Sequence, residues 1–294
     1  MNFAPPANFA STWKPWNGSK GPPPLTGPDD MARLAPPITL CGTSLDVPQL
    51  VALPQGQAVA FTCTYPGRLN GNEDAVGVFT RDPASVVLAV ADGVGGMPHG
   101  AAAAKDVIEA LAAAPGDTTG LGVAECIHQA NDAILARGLG AASTVSVLEI
   151  NNRTLTGHHA GDSAALVVGQ RGRIKLRSNC HSPVGISESN GLLSEQQALL
   201  HPRRNLLSNM VGDVNLWVES MPPLALATRD TALVASDGLW DNLYIAEIID
   251  AIRRGTLLQA AGKLAELALR RMSEPRPGVP SKPDDLSFIL YRPS

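Results

Sequence analysis

The sequence predicts an α+β fold in which antiparallel β-sheets are covered by α-helices. Runs of strands joined by hairpin turns alternate with pairs of helices, whereas a parallel sheet would need strands and helices in regular alternation. The length of 294 residues and the hydrophobic content of 44% suit one large domain. Proline marks the beginning of the chain, because 11 of the 24 prolines precede residue 55. We expect a Pro-rich N-terminal extension over residues 1–55 and one folded domain over residues 56–294.

In the first half of this domain, apolar periodicity defines the elements. Short runs rich in valine predict strands at 57–64, 75–80 and 85–91. An alanine-rich helix follows over 101–114. A second helix places four apolar residues on one face, namely Val123, Ile127, Ala130 and Ile134. Turn residues then separate four strands, at 143–150, 154–159, 164–168 and 173–177.

The second half continues with shorter elements. Ser194 and Gln197 form a capping box that opens a short helix. Two further strands are expected at 215–220 and 231–236. Two amphipathic helices follow, at 246–253 and from Leu257 to Ala268, and a last strand covers 286–291.

Charge and cysteine content argue against several classes of protein. The net charge of -4 and the lack of a concentrated basic face predict no nucleic-acid partner. The four cysteines are far apart and form no Cys-x-x-Cys pair, so we expect reduced thiols rather than a zinc site or disulfides. With no signal peptide and no apolar run of the ~18–20 residues that span a bilayer, a soluble cytoplasmic protein without a membrane partner is expected.

Short acidic motifs stand at the ends of the predicted strands. They are Asn72-Glu73-Asp74, Asp92-Gly93-Val94-Gly95-Gly96, Gly161-Asp162-Ser163, Asp237-Gly238-Leu239-Trp240-Asp241 and Asp284-Asp285-Leu286-Ser287. Any one of them alone is more often a plain turn. Several carboxylates converging at the edge of a core would repel one another unless a cation bound them. Carboxylate oxygens suit Mg²⁺ or Mn²⁺ better than zinc, so the ordered set favours a metal centre.

In this order, the motifs resemble those of the metal-dependent type 2C (PPM-type) serine/threonine protein phosphatases. The segments 201–205 and 211–212 are similar to bacterial members in particular. The resemblance covers roughly residues 56–292. It implies a four-layer sandwich, in which two packed antiparallel β-sheets are flanked by pairs of α-helices, and it makes residues 56–294 a catalytic domain.

The resemblance also implies an activity and a set of site residues. The activity is hydrolysis of phosphoserine and phosphothreonine in proteins at a binuclear Mg²⁺ or Mn²⁺ centre. The implied metal ligands are Asp74, Asp92, Asp237, Asp284, Glu73 through a water, and Gly93 through its carbonyl oxygen. Asp162 and Asp241 match residues that hold a third ion in some members. Arg68 would bind the substrate phosphate, an oxyanion that a guanidinium fork suits.

The mechanism that we hypothesise from this likeness needs no covalent enzyme intermediate. A water bridging two ions that share Asp92 would attack phosphorus, because the cations lower its pKa. Arg68 would help to neutralise the equatorial oxygens. Two departures bear on it: Arg68 precedes Glu73 by five residues, one more than is usual, and Val94 replaces a histidine that many eukaryotic members carry.

Substrates and rival functions complete the prediction. Phosphoproteins that a serine/threonine kinase modifies are the expected partners, and a loop over residues 182–193 falls where the family has a substrate-selecting flap. The alternative is a catalytically silent phosphoprotein-binding module on the same fold. Aspartyl-nucleophile phosphatases need Asp-x-Asp and cysteine phosphatases need Cys-x₅-Arg, and the sequence offers neither in a suitable place.

Overall fold

The computed structural model describes residues 37–67, 71–95, 99–114 and 120–294. Within these ranges the chain forms twelve strands. They are β1 (Ile38–Cys41), β2 (Gln49–Leu53), β3 (Gly56–Cys63), β4 (Asp74–Asp82), β5 (Ser85–Asp92), β6 (Val145–Asn151), β7 (Thr154–Ala160), β8 (Ala164–Val168), β9 (Ile174–Arg177), β10 (Glu219–Ala225), β11 (Thr231–Ala235) and β12 (Leu286–Pro293). They make two antiparallel six-stranded sheets. The first has the order β1-β4-β5-β6-β7-β10 and the second the order β2-β3-β12-β11-β8-β9.

Seven helices accompany the sheets in the described part of the chain. They are α1 (Gly100–Ala113), α2 (Gly120–Ala136), α3 (Pro183–Ser189), α4 (Glu195–Leu199), α5 (Asp237–Trp240), α6 (Ile245–Ile252) and α7 (Leu257–Ser273). The capping box that the sequence predicts at Ser194 and Gln197 opens α4. Among the helices described here, none is long and apolar enough to cross a membrane.

Three apolar cores hold the layers together. The inner core lies between the sheets and contains Leu88, Leu148 and Ile289, all fully buried. Helices α1 and α2 cover the outer face of the first sheet, where the predicted face of α2 is buried against β4–β6. Helices α6 and α7 cover the second sheet in the same way. Full burial of one such side chain stabilises the fold by about 1.5–3 kcal/mol. The result is an α-β-β-α sandwich, which confirms the expected fold class.

The structure differs from the sequence prediction in three elements. Strands β1 and β2 lie within the segment assigned to the N-terminal extension and pair with β4 and β3; residues 1–36 lie outside the described residues. The strand predicted at 215–220 begins only at Glu219, because the Asn209 side chain binds both the N–H and the C=O of Trp217. The predicted loop 182–193 contains α3, which begins with a hydrogen bond from the Gly185 N–H to the Ser182 hydroxyl.

The antiparallel topology brings the acidic motifs to one edge of the sandwich. Asp74 at the start of β4 is the direct partner of Asp92 at the end of β5. The connection between β7 and β8, which carries Asp162, passes from one sheet to the other at this same edge. Asp237 follows the end of β11 and Asp284 precedes the start of β12. Strand ends that are distant in sequence therefore meet in space.

Candidate metal centre

Three carboxylates form the middle of the site. One oxygen each of Asp92, Asp162 and Asp237 lies within 4.8 Å of the other two. All three side chains line a cleft at the sheet edge, together with Glu73, Gly93 and Asp284. The structure thus brings six of the sequence-predicted residues to one cleft. Arg68, the predicted phosphate-binding residue, lies outside the described residues, so its position stays a prediction.

Asp74 lies behind this cleft and is held by hydrogen bonds with residues that flank β4 and β11. Its Oδ2 accepts a hydrogen bond from the Ser236 hydroxyl at 2.8 Å, and its backbone N–H donates to Asn72 Oδ1 at 2.9 Å. The Ser236 oxygen in turn accepts from the N–H of Ser287 at 3.1 Å. Because Asp74 is only 2% exposed, these partners fix its orientation toward its neighbours.

Backbone contacts fix Asp92 and the connection that carries Asp162. The carbonyl oxygen of Asp92 accepts from the Thr144 N–H at 2.8 Å and from the Ser143 hydroxyl at 2.9 Å. The hydroxyls of Thr144 and Ser163 share a hydrogen bond of 2.6 Å. Gly161 has φ +106°, and a Cβ there would lie 2.6 Å from the Cβ of Thr144. Only glycine allows the connection between β7 and β8 to approach Thr144 this closely.

The two neighbouring aspartates before β12 play different parts. Asp285 is buried, and its carboxylate accepts from the backbone N–H groups of Glu73 at 2.7 Å and Tyr65 at 3.3 Å. Asp284 is more exposed, and its Oδ2 lies 3.0 Å from the ammonium nitrogen of Lys282. Asp285 therefore orders the loop that carries Glu73, which leaves Asp284 as the carboxylate turned toward Lys282 and the acidic cluster.

Lys282 is a residue of the site that sequence reasoning missed. Its ammonium contacts Asp237, lies 3.2 Å from Asp241 and 3.0 Å from Asp284. Asp241 also lies 3.4 Å from Nε of Arg204. The available signal was a lysine placed two residues before an Asp-Asp pair.

Burial and mutual repulsion dominate the electrostatics of the cluster. Burial, followed by the charges of neighbouring carboxylates, raises the pKa of Asp92 well above its ordinary value. Burial is also the main cause of the raised pKa of Asp74 and of Asp162. Burial and the charge of Asp237 raise the pKa of Asp284 to about 6. The crowding favours any cation that lets these groups stay ionised.

The donor set fits a hard divalent cation. Oxygen ligands from several carboxylates suit Mg²⁺ or Mn²⁺. Among the described residues, Oδ1 of Asp237 is buried and has no hydrogen-bond partner, although a buried charged oxygen normally has one. A bound cation would supply the missing partner, so the residues at this edge fit the metal centre that the motifs predict.

A second pocket adjoins the acidic cleft and shares Asp162 and Asp237 with it. Helices α3 and α4 form much of its wall, and Arg177, Cys180 and Trp240 line it as well. The segment 182–193 thus lies beside the candidate metal centre, where the family likeness predicts a flap.

Known proteins that are similar to this chain in sequence or structure are serine/threonine phosphatases. No family model matches the chain. The serine/threonine phosphatase stp of Listeria welshimeri is 27% identical over 212 residues, which are 65% of this chain and 81% of that protein. Serine/threonine phosphatase Stp1 from Staphylococcus aureus has a similar crystal structure, with a TM-score of 0.70 and 25% identity over 80% of this chain and 94% of the other. The catalytic domain of the phosphatase PstP, solved with two manganese ions, has a TM-score of 0.64 and 24% identity over 80% of this chain and 97% of the other.

Proposed function

We propose that this chain, which belongs to the type 2C (PPM) family of serine/threonine phosphatases as a bacterial-like member, hydrolyses phosphoserine and phosphothreonine in proteins at a two-metal centre. The observation that carries the proposal is the convergence of carboxylates from five separate motifs on one cleft. The similarity to proteins named serine/threonine phosphatases supports dephosphorylation of proteins as the reaction class.

Each carboxylate has a proposed role toward the metals. We assign Asp74, Asp92, Asp237 and Asp284 as direct ligands, with Glu73 acting through water and Gly93 through its carbonyl oxygen. Two Mg²⁺ or Mn²⁺ ions, when bound, would lower the pKa of water and neutralise negative charge on the phosphate. Asp162 and Asp241 are the carboxylates that a third ion would use.

The residues behind the cleft would keep this ligand set in place. Ser236 donates to Oδ2 of Asp74 and so holds this carboxylate in one orientation. Asp285 accepts from the Glu73 N–H and thereby fixes the chain on which Glu73 stands. Arg68 is proposed to bind the phosphate oxygens from the neighbouring loop, because a guanidinium donates to two oxygens at once.

Hydrolysis of para-nitrophenyl phosphate tests the proposal directly. Turnover would be measured in EDTA, Mg²⁺ and Mn²⁺ for the wild type and for Asp92→Ala. Asp250→Ala is the matched control, since this aspartate lies on α6 and its side chain is 65% exposed. We expect turnover that needs metal, is lost in Asp92→Ala and is unchanged in Asp250→Ala.

The opposite results would point elsewhere. No turnover with any metal, in protein shown to be folded by circular dichroism, would favour a silent phosphoprotein-binding module. An Asp237→Asn variant with normal turnover and normal metal dependence would overturn the ligand assignment. Release of phosphate from phosphoserine and phosphothreonine peptides, which a serine/threonine kinase can prepare, then tests the proposed substrate class.

A further inference from the structure

The side chain of Lys282 places a fixed positive charge inside the acidic site. Its ammonium contacts three carboxylates, those of Asp237, Asp241 and Asp284. Two of these are the proposed ligands of the two-metal centre, and Asp241 is the one assigned to a third ion. The ammonium of Lys282 therefore links Asp241 to two of the proposed metal ligands.

The backbone around Lys282 is built to hold this position. The buried side chain of Asn242 accepts from the Lys282 N–H at 2.8 Å and donates to the Lys282 carbonyl oxygen at 2.8 Å. The same amide also donates to the carbonyl oxygen of Gly238, beside Asp237. Pro283 follows directly, and the residue before a proline is restricted to extended conformations. The lysine backbone is thus fixed to the segment that carries Asp237.

The carboxylate of Asp241 is already occupied by cations. The same oxygen, Oδ2, lies 3.2 Å from Lys282 Nζ and 3.4 Å from Arg204 Nε. Arg204 also donates to the carbonyl oxygen of Ser281, so the two basic side chains flank Asp241 together. A divalent ion bound to Asp241 would have to approach two like charges, which repel it, and would have to displace an ammonium from its carboxylate partners.

We propose that Lys282 is a built-in cation that takes the place of a third divalent ion and limits this site to two. The inference rests on the proposed two-metal function. Lys282 neutralises part of the negative charge of Asp237, Asp241 and Asp284. Asp74, Asp92 and the remaining oxygens of Asp237 and Asp284 stay available to the two ions.

The number of ions that the full chain binds tests the idea without measuring activity. Metal-free protein would be dialysed against increasing Mn²⁺, and bound manganese would be counted by atomic absorption. We expect two ions per chain for the wild type and three for Lys282→Gln, which removes the charge and keeps a polar side chain that is one atom shorter. Lys282→Arg keeps a cation and should bind two.

Lys175→Gln is the matched control. Lys175 forms a similar half-buried ion pair with Asp230, at 2.6 Å. Asp230 precedes β11 and Asp237 follows it, so this pair lies about 20 Å from the cluster at ~3.3 Å per residue of strand. The control should bind two ions. Thermal unfolding of every variant would show that each is folded under the conditions of dialysis.

Each outcome decides the matter. The role of Lys282 would be overturned if the wild type bound three ions, or if folded Lys282→Gln bound only two at every Mn²⁺ concentration. The phosphatase proposal would still stand if the protein hydrolysed para-nitrophenyl phosphate. A wild type that binds no manganese and hydrolyses nothing would instead refute the two-metal function, and the inference would fall with it.

Discussion

The contact between Gly238 and the chain before β12 makes a sharp prediction about the metal centre. A Cβ built on Gly238 would lie 2.0 Å from the carbonyl oxygen of Asp285 and 2.9 Å from its carbonyl carbon. Both groups are backbone, so no rotamer change can relieve the clash. Since ordinary contacts of a Cβ begin near 3.4 Å, Gly238→Ala must separate the two segments by about 1.4 Å.

This displacement has consequences for stability and for metal binding. Overpacking of this kind costs about 1–3 kcal/mol, and about 2–4 °C of Tm is lost per kcal/mol in a domain of this size. We therefore expect Tm to fall by roughly 2–12 °C. Metal ligands must hold their distances to within about 0.2 Å, so moving Asp237 relative to Asp284 should weaken Mn²⁺ binding at least about tenfold.

The assay pairs thermal unfolding with calorimetric titration of Mn²⁺ into metal-free protein. Gly95→Ala is the control, because Gly95 also lines the cleft but a Cβ there meets no atom of the described residues within 4 Å. It should keep both Tm and Mn²⁺ affinity. Wild-type values of both quantities in Gly238→Ala would refute the reasoning that this backbone contact sets the spacing of the two aspartates.

Three further predictions concern pH, the flap and the support of Asp162. The increase in Tm on adding Mn²⁺, relative to EDTA, should be larger at about pH 7.5 than at about pH 5.5. The pKa values of buried carboxylates such as Asp92 are raised, so the metal-free fold loses stability as pH rises through those values. The pKa of His159 is lowered to about 4, and this affects the metal-free and the Mn²⁺-bound protein alike, so it cancels in the difference. A Tm gain that is independent of pH would contradict the reasoning. Replacing the half-exposed Ile186 of the 182–193 segment by serine should change the relative rates on different phosphopeptides but spare para-nitrophenyl phosphate, and equal loss of both would count against a flap. His181→Phe removes the acceptor for the Gly161 N–H at 3.3 Å and the 2.9 Å contact to Glu219. Urea unfolding should therefore show about 1–3 kcal/mol of destabilisation. Unchanged stability would show that these hydrogen bonds do not stabilise the connection that carries Asp162.

Local patterns in the sequence predicted much of the fold because they act over a few residues. The face of α2 that periodicity predicts is buried, and the capping box at Ser194 is present. The start of β10 could not be predicted in this way. Residues 215–218 have the composition of a strand, but the side chain of Asn209 satisfies the backbone of Trp217 and keeps it from the sheet. A tertiary hydrogen bond overrode the local preference.

The sequence likewise predicted one part of the candidate site and left another part undetermined. The order of the acidic motifs pointed to residues that the structure gathers at one edge, including Asp92, Asp162 and Asp237. Their proximity depends on how two sheets pack, and no local rule contains that information. The roles of Arg68 and of the individual ligands stay predictions, since they rest on the family likeness.

The sequence by itself determined the alternation of strands and helices, the apolar faces that form the cores, and the set of acidic strand ends. Only the tertiary structure decided which charges meet. Ser236 donates to Asp74 across 162 positions of sequence, Asp285 binds the backbone of Glu73 across 212, and Lys282 joins Asp237 across 45. Periodicity is a property of neighbouring residues, whereas electrostatic contacts depend on distance in space, and the packing of the two sheets sets that distance.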